Sequence, residues 1–141
     1  TPPSSAQPKA MTGCAKAPRG HPVGRQSYEL SVDGEARTFS LFVPRLYGDG
    51  AAALPLVLGL PGTDDTGTWF EMYTNITHVA DERGFLVATL RGVDDEFNAG
   101  KDCLPRPPPA ADDVKYVNAT LDLITSTLCV DTERVHVLGM S

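Results

Sequence analysis

One serine carries the chemistry that can be read from this sequence. The segment Val135-His136-Val137-Leu138-Gly139-Met140-Ser141 closes a chain of 141 residues. Val135 to Leu138 reads as a short buried strand. Gly139-Met140-Ser141 then reads as the first half of a Gly-x-Ser-x-Gly turn. Such a turn lifts the serine Oγ above the end of a sheet, where it can attack a carbonyl carbon once a histidine takes its proton. Small residues two before and two after the serine let the backbone turn that tightly. In the chain order that goes with this turn the acid and the histidine follow the serine, so both are expected beyond residue 141. The competing reading is an ordinary loop after a strand. Three residues do not separate the two, so the elements upstream have to decide.

The other groups that could move protons have plainer roles. His21 lies beside Pro22 in a polar leader and is expected to be solvated. His78 falls in the middle of an expected helix, where a partly exposed histidine outweighs a catalytic one. Asp112 and Asp113 stand where a helix N-terminus favours negative charge, which outweighs a paired-carboxylate site.

Composition narrows the function classes. Hydrophobic residues make up 41% and charged residues 21%, which suits a folded domain. The net charge of -6 argues against nucleic acid or an anionic membrane as partner. No apolar run approaches the ~20 residues needed to span a bilayer. No cofactor or metal is expected. The absence of an initiator Met suggests a removed signal or an incomplete N-terminus. Two sequons, Asn75-Ile76-Thr77 and Asn118-Ala119-Thr120, make Asn75 and Asn118 N-glycosylation candidates in a secreted protein. The expectation is an extracellular location. Cys14, Cys103 and Cys129 allow three single pairings with one thiol left over.

The elements follow in order. Residues 1–26 are rich in Pro, Ser, Gly and Ala and read as a leader; residues 27–141 form part of a single domain. Ser27 to Val32 alternates, with Tyr28, Leu30 and Val32 on one face. Asp33-Gly34 favours a type I′ turn. Arg37 to Val43 alternates again and stops at Pro44, which cannot donate to a ladder. A loop over 45–53 leads to Leu54–Leu60, an apolar strand of the kind covered on both faces. After the loop 61–67, Thr68 and Glu71 fit a capping box. It opens a helix to about Arg83, with Phe70, Tyr73, Ile76 and Ala80 inward and Gly84 ending it. Phe85–Leu90 is a further apolar strand, and 91–111 a long loop. A helix over about 112–128 should turn Val114, Val117, Leu121, Ile124 and Leu128 inward. Residues 130–133 then turn the chain into the last strand. Alternating strands and helices make the later strands parallel. The loops 61–67 and 91–111 and Ser141 then share the edge where α/β proteins bind ligands.

These stretches resemble a known family, the secreted α/β-hydrolases that include feruloyl esterases, polyhydroxybutyrate depolymerases and LpqC-like esterases. The resemblance lies in Gly13–Pro18, Leu54–Leu60, Ala80–Ala88, Phe97-Asn98-Ala99-Gly100, Asp112-Asp113-Val114 and Cys129–Ser141. It covers the chain from about residue 13 onward. It implies the N-terminal portion of an α/β-hydrolase domain, cut after its fifth strand, with Ser141 as nucleophile. It also implies an oxyanion-hole N–H from the loop after the third strand, with Gly62 and Thr63 as candidates. The family usually has His-Gly there, whereas this chain has Pro61-Gly62, and proline has no N–H to offer. The implied activity is carboxylic ester hydrolysis on feruloyl or acetyl esters of plant polysaccharide, or on polyhydroxyalkanoate-type esters. The alternative is a non-catalytic or degenerate binding protein on the same scaffold, kept open by Pro61 and the run from Cys103 to Pro109.

Geometry then selects among the cysteines. A helix over 112–128 is ~25 Å long and carries the chain from the ligand edge to the opposite one. Cys103 and Cys129 should therefore lie beyond the ~7 Å Cα separation a disulfide tolerates. Cys14 should pair with Cys129, since the first strand starts at that same opposite edge. A chain ending on Ser141 should be inactive alone, and should leave its last strand as an unpaired apolar edge.

Overall fold

A computed structural model describes Cys14 and residues 21–49, 53–100 and 111–141. Cys103 and the proline run at 107–109 lie outside the described residues, as do residues 1–20 apart from Cys14; residues 24–26, expected in a leader, belong to the first strand.

The strands are β1 (Gly24–Val32), β2 (Glu35–Val43), β3 (Leu54–Leu60), β4 (Leu86–Leu90) and β5 (Val130–Gly139). They form one sheet in the order β1-β2-β4-β3-β5. β1 and β2 are an antiparallel hairpin in register from Gly24↔Val43 to Val32↔Glu35. Its turn has Asp33 at φ 52° and Gly34 at φ 80°, the two left-handed residues a type I′ turn requires. β2 runs antiparallel to β4, and β3 lies parallel between β4 and β5. The three parallel strands therefore end together at Leu90, Leu60 and Gly139. β1 begins three residues before the alternation suggests.

Helices cover opposite faces of this sheet. α3 (Asp113–Thr127) packs Tyr116 and Ile124, with Leu128 just beyond, against Phe39, Leu41, Val43, Leu56, Leu58, Leu86, Ala88 and Leu90. α1 (Thr68–Thr74) and α2 (Ile76–Arg83) take the other face, where Ile76 and Ala80 meet Val87. β4 is buried along its whole length, as its mostly apolar sequence suggests, and its one hydroxyl, on Thr89, is bonded to Glu71.

Several expectations need correction. Thr68 and Glu71 do not form a capping box. α1 is capped by Gly67 at φ 96° with no side-chain bond. Glu71, 8% exposed, turns inward instead. It pairs with Arg25 of β1 and accepts from Thr89 Oγ1 of β4 at 2.8 Å and from Ser40 Oγ of β2 at 3.5 Å. Three donors on the sheet outweigh the one backbone N–H a cap would satisfy. The single helix to Arg83 is two, because Asn75 at φ 52° interrupts it. Tyr73, expected inward, is 50% exposed and meets Phe70 edge-on. Gly84 does close α2, with its N–H on the Ala80 carbonyl.

On α3, Val114 is 73% exposed, and Tyr116 and Thr120 take the inward positions instead. Ile124 and Leu128 are buried and Val117 and Leu121 pack beside them as expected, but the stripe also carries a tyrosine and a threonine that an apolar count passes over. The stretch 45–53 is not all loop. Arg45–Asp49 is a 3₁₀ turn whose buried Tyr47 accepts the Cys129 N–H on its hydroxyl at 2.9 Å. Residues 130–133 belong to β5 rather than to a turn, with a register shift between Leu54 and Leu56 absorbing the irregularity. β5 is also not buried. It is the edge strand, and Val137, Leu138 and Met140 are exposed. The structure joins Cys14 to Cys129 by a disulfide, at the edge opposite the strand C-termini.

The helix starts give a direct test. Asp112 caps α3 by accepting the Lys115 N–H at 2.9 Å. Asp112→Ala should cost about 1 kcal/mol, read from urea unfolding. Thr68→Ala, at a position that makes no cap, should change stability by less than about 0.5 kcal/mol.

Candidate active site

β3 and β5 end at the same level, with Leu60 opposite Gly139. The ladder runs one bond further, from Met140 N–H to the Leu60 carbonyl at 3.2 Å. The two segments that leave these strands therefore start side by side. Ser141 stands immediately past the sheet, exposed, with φ 38°. A non-glycine residue in that left-handed region is uncommon and costs conformational energy. The strained turn of a nucleophile serine has this character.

Gly62 adjoins Ser141. A Cβ placed on Gly62 would lie 3.1 Å from the Met140 carbonyl oxygen and 3.5 Å from both Ser141 Cβ and its carbonyl oxygen. The absent side chain is thus what leaves room beside the serine. Pro61, before it, is buried, and Thr63, after it, is exposed. The loop is held by its own turns. Asp65 N–H reaches the Gly62 carbonyl at 3.1 Å, and Asp65 Oδ1 accepts the Gly67 N–H at 2.8 Å. Its Asp64 N–H bonds the Asp95 carbonyl at 3.0 Å, which ties it to the turn after β4.

The remaining candidates stay apart from this place. His78 is exposed on α2, its Nε2 3.4 Å from Glu82. His21 is not simply solvated: its ring stacks on Tyr28 with centroids 6.2 Å apart, and its Nε2 bonds the tyrosine hydroxyl. Burial raises the pKa of that Tyr28 hydroxyl. Asp112 is the α3 cap described above. Asp113 does something else. It is 2.7 Å from Arg37 Nη2 and lies at the base of the turn after β4. Cys14 and Cys129 lie at the far edge, and Asn75 and Asn118 are exposed.

Sequence reasoning missed Arg37, Tyr116 and Asp95. The signal for Arg37 was present: it continues the inward face of Phe39, Leu41 and Val43, where a cation has no place without a buried partner. Tyr116 has its hydroxyl pKa raised, chiefly by burial. Arg91, which opens the turn, has its pKa raised by the Asp95 carboxylate bonded to it at 2.7 Å. Asp95 acts through its backbone carbonyl as well, which no residue pattern reveals. Among the described residues, no group of three or more His, Cys, Asp or Glu side chains is placed to hold a metal ion.

No protein-family model matches the sequence, and no curated protein matches it either. Solved structures do match. The 2,6-dihydroxy-pseudo-oxynicotine hydrolase is 25% identical with a TM-score of 0.59, over 81% of this chain and 29% of that one. An S-formylglutathione hydrolase from Agrobacterium tumefaciens is 19% identical with a TM-score of 0.60, over 83% and 48%. A lipase/esterase from Lactobacillus plantarum is 17% identical with a TM-score of 0.57, over 84% and 46%. The chain spans less than half the length of each of these structures. A five-stranded mixed sheet with helices on both faces and a serine at the end of β5 is the N-terminal part of an α/β-hydrolase fold.

Proposed function

We propose that this chain carries the nucleophile and one oxyanion donor of a serine carboxylic ester hydrolase. The observation that supports this most directly is the left-handed Ser141 at the end of β5 with the bare Gly62 beside it. Ser141 Oγ would attack the ester carbonyl, and a histidine held by an acid would take the proton. The tetrahedral oxyanion would be met by a backbone N–H from Gly62 or Thr63 and by the N–H that follows the serine. Pro61 contributes no N–H, so the donor on this side has to come from the residues after it. That the similar structures include two hydrolases and a lipase/esterase agrees with this chemistry.

The finer reading places the enzyme among the feruloyl esterases and polyhydroxybutyrate depolymerases, acting outside the cell on polysaccharide-linked or polyester substrates. The Cys14–Cys129 disulfide supports an oxidising compartment, and the exposed Asn75 and Asn118 are accessible to a glycan. The second reading, a non-catalytic binder on the same scaffold, draws on Pro61 standing where the family has histidine.

In the full-length protein, Ser141→Ala should lower hydrolysis of p-nitrophenyl acetate by several orders of magnitude while substrate binding is kept. Activity close to that of the parent would rule out the nucleophile assignment. A parent that hydrolyses no ester would favour the binding protein. Gly62→Val should fill the space beside Ser141 and reduce kcat by about 10²-fold or more, with a thermal midpoint near the parent's. An unchanged kcat would remove Gly62 from the oxyanion side.

A further inference from the structure

The turn that follows β4 is tied at both ends to one buried ion pair. Arg37 points inward from β2 at 4% exposure. Its Nη2 donates to Asp113 Oδ1 at 2.7 Å and to the Arg91 carbonyl at 3.3 Å. The other oxygen of that carboxylate, Oδ2, accepts the Asn98 N–H at 2.5 Å. The guanidinium lies 3.8 Å from the centroid of the Tyr116 ring. The Tyr116 hydroxyl donates to the Thr38 carbonyl at 2.5 Å and accepts the Arg91 N–H at 3.4 Å. Residues 91 and 98 are thus fixed by side chains from β2 and α3, and the segment between them projects at the ligand edge. Inside it, Asp95 N–H bonds the Gly92 carbonyl at 3.2 Å and Glu96 N–H bonds the Val93 carbonyl at 3.0 Å. Asp94 and Asp95 are both left-handed, at φ 51° and 58°.

The Asp95 carbonyl produced by that turn is the one that accepts the Asp64 N–H. One residue further along, Asp65 closes on Gly62, and Gly62 lies against Ser141. We propose that the Arg37–Asp113 ion pair positions the loop beside Ser141, by fixing both ends of the 92–96 turn and, through the Asp95 carbonyl, the backbone of Gly62 and Thr63. Neither side chain touches an ester, so both are positioning residues. Apolar side chains of similar volume often hold a core as well as a buried ion pair does. They cannot bind a carbonyl at residue 91 and an amide at residue 98 at once. Both bonds leave Nη2 while the guanidinium lies over the Tyr116 ring, a combination that the shorter lysine with its compact ammonium reproduces less well. The catalytic consequence rests on the esterase reading; the placement of the loop does not.

The test replaces the pair with Arg37→Met and Asp113→Leu together, which leaves no unpaired buried charge. Backbone amide exchange is followed by NMR in the chain, and kcat and KM in the full-length protein. The expected result is a folded double variant whose Asp64 amide exchanges about tenfold faster or more, with Leu58 and Ala88 amides unchanged. In the full-length protein kcat should fall about 10- to 100-fold with KM within about twofold. Arg37→Lys should fall between parent and double variant on both readouts, and it carries the test if the double variant does not fold. Unchanged exchange at Asp64 overturns the proposal. So does faster exchange with an unchanged kcat. If the full-length parent hydrolyses no ester, the esterase reading fails and Asp64 exchange alone decides the positioning.

Discussion

The ligand edge depends on the way β3 is paired on both sides. Its parallel ladder to β4 sets where the loop after β4 begins, and its parallel ladder to β5 sets where the serine stands. The bonds of a parallel ladder are evenly spaced, so three strands sharing one register end at one level. The loop 61–67 leaves from the middle strand and lies within reach of both neighbours. It meets Met140 and Ser141 on one side and Asp95 on the other. A slip in either ladder would move one of these partners and turn each strand's inward set outward.

The two faces of the sheet are stabilised in different ways. The α3 face is mostly apolar and closed, with Arg37, Asp113 and Tyr116 as a polar cluster at its upper end. On the α1 and α2 face, Ile76 and Ala80 meet Val87, and the buried Phe70 ring lies over Gly59. Beyond these contacts, Glu71 draws donors from β1, β2 and β4 together. A carboxylate this buried is tolerated because arginine and hydroxyl donors replace the water it has lost. Both polar clusters stand close to the ends of the parallel strands, where backbone must leave the sheet and apolar packing alone would not fix its direction.

Much of this was legible in the sequence because it depends on local period. The hairpin followed from alternation and Asp33-Gly34, and the parallel core from apolar runs separated by helical stretches. Gly84 and Asp112 acted as the end signals their types suggest. The misreadings share another cause. Glu71 has the right spacing for a cap, but partners distant in sequence decide where it points. Asn75 sits among good helix positions and still breaks the helix, and the inward stripe of α3 was read without Tyr116 and Thr120 because both count as polar. At the site, Ser141 was suggested by the strand end and Gly62 by the family resemblance, and the structure sets the two side by side. The contacts that aim the loop run through backbone carbonyls and an arginine seventy-six residues from its carboxylate, and no local window contains both.

The disulfide makes part of this molecule a covalent ring. Cys14 and Cys129 are 115 residues apart, and β1 to β4 and helices α1 to α3 lie within the closed circuit. A single cut by a protease in any connection inside it, such as the loop 61–67, opens the ring without releasing a piece. The severed chain would keep its mass until a reductant was added. Residues 130–141 lie outside the circuit. The strand that carries the serine therefore lies outside the ring, joined to it through Cys129 and paired to it by the ladder to β3. Cross-linking limits how far the ring can wander when it unfolds, but it closes no loop around β5.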